Sequence, residues 1–156
     1  REFAAVRVQR AQRGPELGTR LADFVAGVFA AREARTLVIV GSDQPLVPLA
    51  RILEAHAALE HGTDCVLGPD PGGGYYLVGL ARSVPELFTR VTMSSAGMCA
   101  ATATLARERG LAVTLLSEHD DVDVPADLER LRRELARLGP EEAPHTRRAL
   151  AQLDGG

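Results

Sequence analysis

The sequence predicts an α/β protein: a layered, mostly parallel sheet flanked by helices and joined by right-handed crossovers. Three observations point there. Short aliphatic runs alternate with stretches of helical periodicity. The run Leu37-Val38-Ile39-Val40 is apolar on both faces, as suits a strand in the middle of a parallel sheet. Glycine and aspartate clusters follow directly after the apolar runs, where open α/β sheets bind their ligands.

The 156 residues fit a single domain, 1–156, able to bury a real core, and a hydrophobic fraction of 46% is ordinary for a globular chain. No apolar run is long enough to span a membrane, and Arg1-Glu2-Phe3 does not open a signal peptide. The chain does not begin with methionine, which reads as a processed or truncated piece. A net charge of -3 argues against nucleic acid as a partner. There is no lysine, so a P-loop lysine and Schiff-base chemistry are excluded. Cys65 and Cys99 show no metal-ligand spacing and read as small buried hydrophobes in a reducing cytoplasm.

In chain order, 3–8 alternates weakly and predicts a strand. Leu17, Leu21, Phe24, Val25, Val28 and Phe29 share one helical stripe, predicting a helix over 16–33 with Pro15 in its first turn. Gly18 is unusual there, and close packing against another backbone is the expected reason. The strand 37–40 runs into Gly41-Ser42-Asp43, and a helix over 46–60 follows, with Leu49, Ile52, Leu53, His56 and Leu59 on its apolar side. Two further strands, 63–69 and 75–80, flank Asp70-Pro71-Gly72-Gly73-Gly74. A short helix over 85–90 leads to a small-residue loop in which Ser94 or Ser95 caps a helix over 97–109. The last strand, 111–116, empties into a second carboxylate cluster, Asp120, Asp121 and Asp123. Pro125 opens a helix with Leu128, Leu131, Leu135 and Leu138 inward, stopped by Gly139-Pro140. A final helix covers 144–153, before a tail that frays.

Asp43 has two readings: a carboxylate delivered to a ligand at a strand end, or a turn and cap residue. The cluster at 120–123 has the same two readings. Together they form a natural site for a hard divalent cation, magnesium or manganese, which takes one or two carboxylates plus substrate phosphates. The glycine run lets backbone N–H groups approach a ligand, or is a loose connection. No Gly-x-Ser-x-Gly elbow, zincin histidine pair or Gly-x-Gly-x-x-Gly turn is present, which disfavours serine hydrolases, zinc peptidases and dinucleotide enzymes.

Four motifs occur in order: Gln12-x-Gly14-x-x-Leu17-Gly18-x-Arg20-Leu21, Gly41-Ser42-Asp43-x-Pro45, Gly68-Pro69-x-x-x-Gly73-Gly74-Tyr75-Tyr76, and Asp121-Val122-Asp123-x-Pro125-x-Asp127-Leu128. This set resembles the glycosyltransferase-A-like family known as domain of unknown function 2064, in the nucleotide-diphospho-sugar transferase superfamily. The resemblance implies a Rossmann-like sheet and a transferase of nucleotide sugars or nucleotides acting on a small-molecule acceptor. It implies Asp43 and Asp123 as metal ligands, Asp43 and Asp121 as catalytic carboxylates, and Gly73, Gly74, Tyr75, Arg20 and Ser94 as substrate contacts.

Three departures accompany it. The family's opening strand and its glycine- and basic-rich loop have no counterpart, so the expected fold is N-terminally truncated. Gly72 stands where the family has the aspartate of Asp-Gly-Gly-Tyr. Met93-Ser94-Ser95 replaces Trp-Ser-Thr. These departures support an alternative: a non-catalytic member working as a homodimer or partner subunit, whose open sheet edge is covered by another chain. A fragment of a larger enzyme is the third reading.

Overall fold

The computed structural model describes residues 11–154, so the strand expected over 3–8 and the last two glycines lie outside the described residues. Helix α1 spans Leu17–Ala30, strand β1 Leu37–Val40, helix α2 Leu49–Glu60, and strands β2 and β3 Cys65–Pro69 and Tyr75–Leu80. Helices α3 (Glu86–Thr89) and α4 (Met98–Glu108), strand β4 (Val113–Leu115) and helices α5 (Pro125–Leu135) and α6 (Pro144–Asp154) complete it.

The four strands form one sheet in the order β1-β3-β2-β4. The sheet is mixed rather than fully parallel: β1, β2 and β4 run the same way, β3 is antiparallel to both β1 and β2, and β2 pairs with β4 in parallel. The reason is the short connection 70–74, which can close a hairpin but cannot make a parallel crossover. Leu37–Val40, read as a central strand, lies at the end of the described sheet and is half-buried throughout.

On one face, Ala22 and Val25 of α1, Leu87 and Phe88 of α3, and Ala103 and Ala106 of α4 pack against Leu67, Val78 and Leu80. On the other, Ala55 and Leu59 of α2 cover Val66, Tyr76 and Leu77. Each such large apolar side chain contributes about 1.5–3 kcal/mol on burial. Helices α5 and α6 pair through Leu131, Leu135 and Leu150 and close over Leu46 and Val122.

Local departures have local causes. Helix α2 begins at Leu49, because Pro48 is extended and a residue before proline avoids helical geometry. Its buried side is Ala55 and Leu59, leaving Leu49 and Leu53 exposed. Pro15 lies ahead of the Glu16 N-cap of α1, outside its first turn. Helix α4 starts from Gly97 with no side-chain cap, and Ser95 Oγ instead donates to Thr92 O at 2.9 Å. Helix α5 ends at Leu135, and Leu138 is exposed in the turn beyond it. Gly18 packs as expected: a Cβ there would lie 2.2 Å from Phe88 O.

The β2–β3 ladder slips once. Gly68 pairs with Leu77 and Pro69 with Tyr75, so Tyr76 is an extra residue in β3. This bulge sends Tyr76 and Leu77 to the α2 face and Tyr75 to the α1/α4 face.

Candidate functional site

Because β3 alone runs against the others, β1, β2 and β4 all end at one edge of the sheet. Backbone hydrogen bonds gather the three loops beyond them. Val122 N–H donates to Asp43 O at 3.1 Å, His119 N–H to Pro69 O at 3.1 Å, and Gly41 N–H to Tyr76 O at 2.9 Å. The result is a cavity of about 590 Å³ whose lining includes Asp43, Asp70, Asp121 and Asp123, one or two carboxylates from each loop. Gly74, Tyr75 and Ser94 also line it, against an apolar wall that includes Leu21, Ile39 and Met98.

The glycine run is neither a loose connection nor an open cradle. Asp70 folds across it, with Oδ1 accepting Gly74 N–H at 2.9 Å while Gly73 N–H donates to Asp70 O at 3.1 Å. A Cβ on Gly74 would meet Asp70 Oδ2 at 2.5 Å, and one on Gly72 would meet Oδ1 at 3.1 Å. Gly73 has φ +87°, and its Cβ would lie 1.8 Å from Ala96 O. Two glycines therefore make room for the Asp70 carboxylate and the third lets the turn dock on the loop before α4, where Gly73 O accepts Cys99 N–H at 2.9 Å.

The second acidic loop is tethered from both sides. The bulged Tyr76 donates its hydroxyl to Ser117 O at 3.1 Å and meets the His119 ring edge-on at 5.4 Å. Arg130 donates to Asp121 O at 2.7 Å and pairs with Asp120 at 3.3 Å and Asp127 at 2.7 Å. Asp127 Oδ2 accepts the N–H groups of Asp123 and Val124 at 3.1 and 3.0 Å, which fixes the start of α5. The carboxylates that the sequence groups together thus divide. Asp120 is neutralised by Arg130, whereas Asp121 and Asp123 are left to the cavity.

No arginine or histidine stands in the described lining. Burial, then the neighbouring Asp123, and more distantly Asp70 and Asp43, push the Asp121 carboxyl above the usual carboxylate range. Gln44 Oε1 is buried without a hydrogen-bond partner. Burial pushes the Tyr75 phenol up to about 12, and the Thr102 hydroxyl beside it pulls the other way. Ser94 holds φ +58°, a left-handed conformation rarely adopted by serine.

Asp43, Asp121, Asp123, Gly74, Tyr75 and Ser94 are therefore brought to one place. Arg20 and Gly73 are not in the lining. The Arg20 guanidinium folds back onto Gly14 O at 2.8 Å and Pro15 O at 3.2 Å, closing the turn ahead of α1. Asp70 and Gln44 were not singled out from the sequence. The signal for Asp70 was its place at the end of the apolar run 65–69, the same signal that marks Asp43. Among the described residues, no three His, Cys, Asp or Glu side chains form a ready-made metal cage. Both cysteines are free and buried.

A mixed α/β sheet with an acidic cavity at its strand ends has the layout of a glycosyltransferase-A-like domain. One solved structure shares it at a TM-score of 0.66 and 31% identity: that of a "putative nucleotide-diphospho-sugar transferase" from Desulfovibrio desulfuricans G20, matched over 72% of this chain and 49% of the other. This chain thus spans about half the length of that relative. The family described as "Uncharacterized protein conserved in bacteria (DUF2064)" matches residues 2–95, and the chain belongs to it. No curated protein matches the chain. No helix among the described residues is long and apolar enough to cross a membrane.

Proposed function

We propose that the chain takes part in metal-dependent transfer from a nucleotide-diphospho-sugar to a small-molecule acceptor. The observation that carries this reading is the charge of the cavity: four aspartates and no cationic side chain in its described lining. A diphosphate is repelled from such a cavity unless a cation accompanies it. All the donors are carboxylate oxygens, which suit magnesium or manganese.

Asp43 and Asp123 would hold the cation, with Asp121 beside them. Bound there, it would neutralise the diphosphate and stabilise charge on the leaving oxygen. The chain's own groups supply position. The backbone bond from Val122 to Asp43 keeps the two acidic loops in register, and Arg130 holds the Asp121 carbonyl. Tyr75 and Ser94 present hydroxyl-bearing side chains on the cavity wall, and Leu21, Ile39 and Met98 give the sugar an apolar surface.

The test is a thermal shift with UDP- and GDP-sugars and Mn²⁺. Ligand at about a hundred times its dissociation constant stabilises by about 2.7 kcal/mol, and Asp43→Ala abolishes the shift. Calorimetry that detects neither metal nor nucleotide at millimolar ligand rules the reading out.

A second reading rests on a separate observation. Strand β1 is wholly aliphatic, half-buried, and paired on one side only among the described residues. An edge of that kind pairs with another strand, so the chain would act as a homodimer or a partner's subunit. Light scattering that finds a stable monomer counts against it.

A further inference from the structure

Asp70 is the one cavity carboxylate to which the reading above gives no task. Asp43 and Asp123 serve the cation there, Asp121 lies against Asp123, Asp120 is paired with Arg130, and Asp127 caps α5. Asp70 differs from all of them in how it is held. Its Oδ1 is fixed by Gly74 N–H at 2.9 Å, and Oδ2 accepts no hydrogen bond from any described residue. The turn is shaped to keep it so, since a side chain at Gly74 would displace Oδ2. A carboxylate with one oxygen anchored and the other unpartnered, on the wall of a ligand cavity, is poised to accept a proton.

We propose that Asp70 is a catalytic residue that accepts, on Oδ2, the proton of the acceptor hydroxyl; this rests on the transferase reading. In the step, the acceptor oxygen bonds to the anomeric carbon of the sugar. The bond from that carbon to the diphosphate oxygen breaks, and its electron pair leaves with the nucleoside diphosphate. The hydroxyl proton passes to Asp70. The glycines at 72 and 74 make room for its carboxylate.

The test uses Asp70→Asn and Asp70→Ala in the full chain, with a panel of UDP-, GDP-, dTDP- and ADP-sugars, Mn²⁺, and glycerol as the acceptor. Asparagine keeps an oxygen for Gly74 N–H and removes only the base. Asp70→Asn is expected to lower kcat by about 10²–10⁴-fold while the donor KM and the melting temperature stay near wild type. Asp70→Ala is expected to lose kcat equally and to melt lower, with added formate restoring part of its kcat. A purely structural clamp gives the opposite pattern: Asp70→Asn active within about threefold, and no formate rescue. That result overturns the role of Asp70 and leaves the transferase reading standing. Should Asp70→Asn also melt lower, formate rescue of Asp70→Ala decides: recovery supports the role and its absence overturns it. If the wild-type chain releases no nucleoside diphosphate from any donor, both fall together.

Discussion

Replacing Gly18 with alanine sets two effects of opposite sign against each other. Helix propensity favours alanine by up to about 1 kcal/mol, somewhat less in a first turn. Against this, the new Cβ would lie 2.2 Å from Phe88 O and 3.3 Å from its carbonyl carbon. A backbone carbonyl cannot swing aside as the end of a long side chain can. Helix α1 would have to retreat from α3 by about 1 Å to restore ordinary contact. That disturbs Leu87 and Phe88, which are 0% and 1% exposed. Overpacking of this sort costs about 1–3 kcal/mol, so the net change is a loss of about 1–2 kcal/mol. Gly27, in the same helix, is the control. A Cβ there meets nothing within 4 Å, so Gly27→Ala gains about 0.5–1 kcal/mol. Urea denaturation followed by far-ultraviolet circular dichroism measures both, and each kcal/mol moves the melting temperature by about 2–4 °C at this size. If Gly18→Ala is as stable as Gly27→Ala, the account of the α1–α3 contact is refuted.

Tyr75→Phe removes a buried hydroxyl whose side-chain neighbour is the Thr102 hydroxyl, so the free protein is expected to lose about 0.5–1.5 kcal/mol; an unchanged or higher melting temperature would show that the contact contributes nothing. Arg147 donates to the carbonyls of Leu135, Leu138, Gly139 and Glu142, joining α6 to the end of α5. Arg147→Leu is expected to cost about 2–3 kcal/mol, with faster amide exchange at the α5–α6 junction than in the sheet. The backbone N–H groups of Val124 and Asp123, with Arg130, hold the Asp127 carboxyl below the usual range. Its folded pKa is depressed, so the stability it adds is present above its unfolded value near 3.9 and lost as pH falls through the folded one. Asp127→Asn is therefore expected to flatten the acid limb of a melting-temperature profile below about pH 4, and an unchanged limb contradicts this.

The helices and strands were legible where a period was strong: the stripe from Leu21 to Phe29 and the aliphatic runs at 37–40 and 65–67 are α1, β1 and β2. The reversal of β3 is the part that aliphatic density does not encode, because the length of 70–74 decides it. The carboxylates at 43, 121 and 123 could be read as a group because each follows a strand, and strand ends converge. What single positions do inside the turn could not. Asp70 looks like loop filling until the backbone folds it over Gly74, and Arg20 looks like a substrate cation until it is seen to bond the carbonyls of its own chain. Both outcomes depend on contacts that no spacing rule encodes.

The bulge in β3 makes chain length, rather than residue identity, the variable that separates the fold from the site. Deleting Tyr76 would leave an uninterrupted ladder, with Leu77 opposite Gly68, Tyr75 opposite Pro69, and each still on its present face. The sheet would survive by its own pairing. The loop beginning at Ser117 would lose the phenol that moors it, and Asp121 and Asp123 would be held by the backbone bonds at His119 and Val122, by Arg130 and by the Asp127 cap. A homologue one residue shorter at this point would share the architecture and still hold its second acidic loop on a longer leash.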